Sequence, residues 1–342
     1  MKPPENPKGE SLPFLDVNAG RTAARISAES PGALDRIRPY ILSTPVQTSR
    51  TLSQEAGSRV LLKCEHRQTT GSFKLRGALN KVLSLSRQCL DEGVVVASTG
   101  NHGSAVAYAC RLLGGKCTVF VPKDVSRMKE RAMRDLGAEV RRQGADGLEA
   151  ERAARHWASE NTLEYISPYN DIDVIIGQAT LGRELLEYAD SGCDVYVAVG
   201  GGGLVSGLAA VLKHFNAGIR IVGCSPANHP VMDESVRAGR IVDLPYRPTL
   251  SDGTAGRLES DSLTLPLCAH LVDDWIRVSE AEIVESLRLL GRQEHMIVEG
   301  AAAVAVAGLR KDSNRRTGDK IVVLCGGNVD KAVMADILAQ NE

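Results

Sequence analysis

Four consecutive glycines, Gly200 to Gly203, stand between the β-branched run DVYVAV and an Ala- and Leu-rich stretch that opens near Leu204. Residues without a Cβ let successive backbone N–H groups converge, and a helix start behind them adds positive dipole character. Such a loop suits a phosphate. A dinucleotide turn would read G-x-G-x-x-G, with an acidic residue about twenty positions further on. Here Ser206 takes the third glycine position after Gly201 and Gly203, and the next run, IRIVGCSP, ends in Cys224-Ser225 without an acid. A compact monophosphate therefore fits better than NAD. Two more Gly-rich loops, Thr99–Gly103 and Gly326–Asn328, also follow β-branched runs. In open parallel sheets, ligands sit beyond the carboxyl ends of the strands, where all three loops would lie. A fourth segment, Thr70 to Ala78, places Lys74 next to Phe73; taken alone, that lysine reads as a solvated residue at a helix start.

The elements that must position these loops repeat one theme. Val94 to Pro122 and Asp194 to Pro226 each read as strand, Gly-rich loop, amphipathic helix and strand, and Lys320 to Leu338 repeats the first half. Unbroken Val/Ile runs are what strands buried on both faces look like, and helical connections between them imply parallel sheets. The fold class is α/β. Before this region, a helical stretch is expected from about Ala33 to Pro39, followed by an extended Ser43-Thr44-Pro45. Residues 1–20, rich in Pro, Gly and charge, are expected to form a disordered tail.

The bulk properties narrow the chemistry. The chain has 342 residues, 43% hydrophobic and 24% charged, with 41 Lys plus Arg against 42 Asp plus Glu. That balance provides no bulk field for nucleic acid or an anionic membrane, and 4% aromatics leave few stacking platforms. The longest apolar run, Gly300 to Leu309, is about half a bilayer span. No signal core follows the N-terminal charges, and eight cysteines occur without a C-x-x-C pair, which reads as free thiols in a reducing cytoplasm. Zinc-hydrolase, P-loop and nucleophile-elbow motifs are absent.

Taken together, T-G-S-F-K-L-R-G-A at Thr70–Ala78, S-T-G-N-H-G at Ser98–Gly103, the tetraglycine loop and C-G-G-N at Cys325–Asn328 resemble the fold-type II pyridoxal-phosphate enzymes. The resemblance runs from about Ile41 to Asn328, and is greatest to the serine/threonine dehydratase and serine racemase family. It implies two open twisted, mainly parallel sheets flanked by helices. A small domain, residues 92–169, would be inserted into a large cofactor domain formed by 21–91 and 170–342. Lys74 would carry pyridoxal 5'-phosphate as a Schiff base and shuttle the Cα proton. Phe73 would pack on the ring, Asn101 would donate to its phenolic oxygen, and the amides of Gly200, Gly201, Gly202, Gly203 and Leu204 would cradle the phosphate. Cys325 would face the pyridine nitrogen as a weak, near-neutral partner. The substrate carboxylate would rest on the loop Ser98, Thr99, Gly100, Asn101 and His102, while Gly253 and Glu299 would lie near the cofactor.

The implied reaction is loss of water from a β-hydroxy amino acid such as serine or threonine, giving a 2-oxo acid and ammonia. Thr99 retains a hydroxyl where racemases of the family carry a catalytic serine, so amino-acid racemisation is the first alternative. A larger substrate, as in the hydroxyectoine-utilisation dehydratases, is another, and a catalytically silent ligand-binding protein is the alternative outside enzymes. Family members often bind a divalent cation through an acidic pair, but Ser225 and Val231 stand where those carboxylates would align, so no metal is expected. His229, nearby, reads as a hydrogen-bonded surface residue. The family expectation is a cytoplasmic homodimer.

Overall fold

The computed structural model describes residues 17–339. Its ten strands are β1 (Val46–Ser49), β2 (Val60–Lys63), β3 (Val94–Ala97), β4 (Cys117–Val121), β5 (Glu139–Arg142), β6 (Glu164–Tyr165), β7 (Asp194–Ala198), β8 (Arg220–Pro226), β9 (Asp274–Val278) and β10 (Lys320–Val323). They form a six-stranded sheet in the order β1-β2-β10-β7-β8-β9 and a four-stranded sheet in the order β5-β4-β3-β6. Only β1 and β2 pair antiparallel; every other pairing is parallel. The all-apolar runs occupy the middles of both sheets: β2, β4, β7, β8 and β10 are buried along their whole length. β10 lies between β2 and β7, with Ile321 opposite both Leu61 and Val195, so the last Gly-rich loop emerges beside the other two segments of the large sheet.

Small residues set how closely helices approach this sheet. In the helix Gly300–Lys311, a Cβ at Gly300 would lie 2.1 Å from the carbonyl oxygen of Leu250, and one at Gly308 would lie 2.3 Å from Cys224 Sγ. The Ala repeats between them are buried. Local signals fix several helix starts: Asp171 caps Ile172–Leu185 through the amides of Asp173 and Val174, and Ser279 with Glu282 forms a capping box.

The N-terminal expectation needs correcting. A helix runs from Val17 to Ile37, so residues 17–20 are helical and the helix does not wait for Ala33. Ala19, Ala23, Ile26, Ala33 and Ile37 form a buried stripe at helical spacing that continues through the Pro31-Gly32 pair. Burial of that stripe outweighs the breaker signal. The rest of the expected tail, residues 1–16, lies outside the described residues.

Candidate active site

Lys74 is the first residue of the helix Lys74–Ser84, which follows the loop leaving β2. Its Nζ donates to the carbonyl oxygen of Pro168 at 2.8 Å and lies 5.2 Å from the centroid of the Phe73 ring. Burial lowers its pKa from 10.5 to about 8, against the opposing pull of Cys325 and Glu299. A fair fraction is therefore a neutral amine near neutral pH. Two residues on, at Arg76, the helix is anchored by a buried charge network. Arg76 donates to both oxygens of Glu65 at 2.8 and 2.9 Å and to both oxygens of Glu184 at 2.7 and 2.9 Å. Lys63 adds a bond to Glu184 at 2.6 Å, and Thr44 a short one to Glu65.

The tetraglycine loop joins β7 to the helix Gly203–Phe215. Its glycines are required by what packs behind it. A Cβ at Gly200 would lie 2.8 Å from the Thr254 Cα, one at Gly201 2.4 Å from the Tyr169 ring, and one at Gly202 2.8 Å from Cys268 Sγ. Gly202 also has a φ of +84°, the left-handed region. The N–H groups of Gly200 to Gly203 donate to no group among the described residues, so they are available to a ligand in the cavity that these glycines line. Converging free amides at the N-terminus of a buried helix bind anions.

A third group of side chains converges on Glu299, the residue before the helix Gly300–Lys311. Both Glu299 oxygens accept from Asn101 Nδ2, at 2.9 and 3.1 Å, and the Cys325 thiol donates to Oε1 at 3.8 Å. Asn328 Nδ2 donates in turn to Asn101 Oδ1 at 2.7 Å. Glu299 is only 6% exposed, and burial raises its pKa from 4.5 to about 7 despite the bond from Asn101. Burial, with Glu299 beside it, also pushes the Cys325 thiol well up, so it stays a neutral thiol. His102 points away into the protein, its Nε2 3.0 Å from the Ile166 carbonyl oxygen. Burial and the nearby Lys74 lower its pKa to about 3, so the ring is a neutral structural group.

These segments border one cavity of about 730 Å³. Phe73, Lys74, Ser98, Thr99, Gly100, Asn101, His102, Gly200, Gly201, Gly202, Gly203, Leu204, Gly253, Glu299 and Cys325 all line it. The four-stranded sheet contributes the Ser98–His102 loop after β3, and the six-stranded sheet contributes the loops after β7 and β10. His229 departs from its expected surface position: it is 3% exposed, lines the cavity, and its Nε2 lies 3.3 Å from the Gly256 carbonyl oxygen. Ser225 is buried with its Oγ on the Val199 carbonyl at 3.3 Å. Among the described residues, no three His, Cys, Asp or Glu side chains group closely enough to hold a metal ion. The residues that a linear reading misses are Tyr169, Thr254 and Cys268, which pack against the glycines. Nothing in their local sequence marks them; only chain crossings bring them to the site.

Comparison with known proteins bears on this geometry. Residues 37–327 match the family model described as pyridoxal-phosphate dependent enzyme. An L-threonine ammonia-lyase of Geobacter sulfurreducens is 38% identical over 300 residues, covering 86% of this chain and 74% of that protein. An L-threo-3-hydroxyaspartate ammonia-lyase of Saccharomyces cerevisiae is 34% identical over 311 residues, covering 91% and 95%. The solved structure of maize serine racemase superposes with a TM-score of 0.85 at 30% identity, covering 91% of this chain and 95% of that one. A buried lysine of lowered pKa and a glycine cradle with unpaired amides on one cavity thus coincide with a match over most of the chain, which belongs to the family of pyridoxal-phosphate dependent enzymes.

Proposed function

We propose that the chain is a pyridoxal-phosphate-dependent ammonia-lyase that removes water from a β-hydroxy amino acid of the serine or threonine type, yielding a 2-oxo acid and ammonia. The observation that carries this reading is the convergence of the Lys74 amine, the Asn101 amide, the Cys325 thiol and the Gly200–Gly203 amides on one cavity. The residues fit the cofactor. The unpaired amides of Gly200 to Gly203 offer donors for a phosphate, and the buried amine suits covalent attachment of an aldehyde.

Bound there, the cofactor supplies the electron sink that makes a substrate Cα–H bond acidic. Lys74 Nζ, with its pKa lowered to about 8, would take the Cα proton, and passing a proton to the β-hydroxyl as its C–O bond breaks would release water. The amides and the Ser98 hydroxyl of the loop from Ser98 to His102 hold the substrate carboxylate, and Asn101 offers its N–H to the ring oxygen. Cys325, kept as a thiol, would face the pyridine nitrogen as a partner that forces no proton onto it. Neutrality at that position favours prompt loss of the β-hydroxyl over a long-lived carbanion. We read residues 92–169 as a small domain whose closure excludes water.

A second reading, amino-acid racemisation, is favoured by the Thr99 hydroxyl on the cavity wall. The reading extends to a cytoplasmic homodimer; eight unpaired cysteines support the reducing compartment. Among the described residues, no helix is long and apolar enough to cross a membrane.

The test is a panel of β-hydroxy amino acids scored for 2-oxo acid, ammonia and the chirality of recovered substrate. Borohydride should fix the cofactor on Lys74, and Lys74→Ala should abolish both the visible absorbance and turnover. Colourless protein, unlabelled at Lys74 and inert on the panel when supplied with pyridoxal phosphate, would refute the reading.

A further inference from the structure

The two ends of an asparagine side chain are nearly the same size, so hydrogen-bond partners alone decide which end faces a ligand. Asn101 must present its N–H₂ to the cavity if it is to donate to a phenolic oxygen; its carbonyl there would repel that group. Two groups choose: the Glu299 carboxylate, which accepts the Asn101 N–H₂ at 2.9 and 3.1 Å, and Asn328 on the opposite side. Asn328 Nδ2 donates to the backbone carbonyl of Thr70 at 2.9 Å and to Asn101 Oδ1 at 2.7 Å. A backbone carbonyl only accepts, so Thr70 obliges Asn328 to turn its N–H₂ toward this corner. Asn101 must then meet it with its carbonyl, which sends the Asn101 N–H₂ the other way, to Glu299 and the cavity.

Asn328 is itself held in place. Gly71 has a φ of +75°, a Cβ there would sit 2.4 Å from Asn328 Oδ1, and the Gly327 amide donates to the Gly71 carbonyl at 2.8 Å. The side chain is exposed and does not line the cavity. It therefore has no direct contact to offer a ligand and acts only through Asn101.

We propose that Asn328 is a positioning residue that, together with Glu299, holds the orientation of the Asn101 amide and so the polarity the chain presents to the cofactor's phenolic oxygen. This rests on the cofactor reading above. It also explains why the loop after β10 ends in an asparagine opposite a left-handed glycine three motifs away.

The experiment titrates pyridoxal phosphate into full-length cofactor-stripped protein, reading the dissociation constant and the position of the visible band. Four variants are compared with the parent: Asn328→Asp, Asn328→Ala, Asn101→Ala and Asn101→Ala with Asn328→Asp. Aspartate is almost isosteric but only accepts, so it draws the Asn101 N–H₂ to itself and turns the carbonyl to the cavity. We expect about tenfold weaker binding and a moved band for Asn328→Asp, but only about two- to threefold weaker binding for Asn328→Ala, where water can stand in as donor. In the Asn101→Ala background, Asn328→Asp should change neither quantity. The proposal is overturned if aspartate is no worse than alanine, or if it weakens binding equally without the Asn101 amide, which would reveal a general charge effect. Failure of the parent protein itself to load on Lys74 would instead bring down the cofactor reading, and this proposal with it.

Discussion

Replacing Glu299 by glutamine removes a carboxylate that the fold holds at a cost. The group is 6% exposed and its pKa rises from 4.5 to about 7, chiefly through burial, so solvent screening does not dilute the effect. A carboxyl pKa raised by folding means that the native state binds the extra proton. The penalty is small below the unfolded value, grows as pH rises from 4.5 to 7, and is complete above that. Linkage then puts the penalty at about 1 kcal/mol at pH 5 and on the order of 3 kcal/mol at pH 8.5. Glutamine keeps an acceptor for Asn101 and for the Cys325 thiol but carries no charge. Glu299→Gln should accordingly stabilise the cofactor-free protein by roughly 2 kcal/mol more at pH 8.5 than at pH 5, an extra gain in melting temperature of about 4 °C. Thermal melts of both proteins at the two pH values measure the difference directly. An equal shift at both pH values, or a loss of stability at pH 8.5, would show that Glu299 is not a desolvated, ionising group, and the account of this corner of the site would be wrong.

Three other outcomes follow from the packing. Gly201→Ala sets a methyl 2.4 Å from the Tyr169 ring, so the loop must move and binding of pyridoxal phosphate should weaken at least about tenfold, while binding of pyridoxal without the phosphate changes little; equal losses for both would contradict a phosphate cradle. Glu65→Ala leaves the fully buried Arg76 short of one carboxylate and should cost about 3–5 kcal/mol in a denaturant melt. Breaking the exposed Arg25–Glu29 pair, at 2.7 Å, should leave the same melt essentially unchanged, because solvent screens it.

How much of this was legible beforehand depends on the range over which each residue acts. Lys74, the Ser98–His102 loop, the tetraglycine loop and Cys325 are each presented by a local strand–loop–helix unit, whose backbone geometry is dictated by residues a few positions away. Their types, order and spacing point to an α/β chain with a phosphate cradle, whereas the reactive amine enters only through the resemblance to the fold-type II enzymes, since Lys74 alone reads as a solvated residue. The helix starting at Val17 was misjudged because Pro31-Gly32 is a strong local breaker, whereas the buried stripe that overrides it has meaning only against its neighbours.

What only the tertiary structure decided are properties that arise between distant segments. The lowered pKa of Lys74 and the raised pKa of Glu299 come from burial in a cavity that both sheets help to line. Asn101 and Glu299 are 198 residues apart, Asn328 and Thr70 258, and Arg76 and Glu184 108. Tyr169 behind Gly201 and the insertion of β10 between β2 and β7 likewise depend on how the chain crosses over. A side chain's chemistry travels with its type; its protonation, its orientation and the room beside it belong to whatever the fold packs around it.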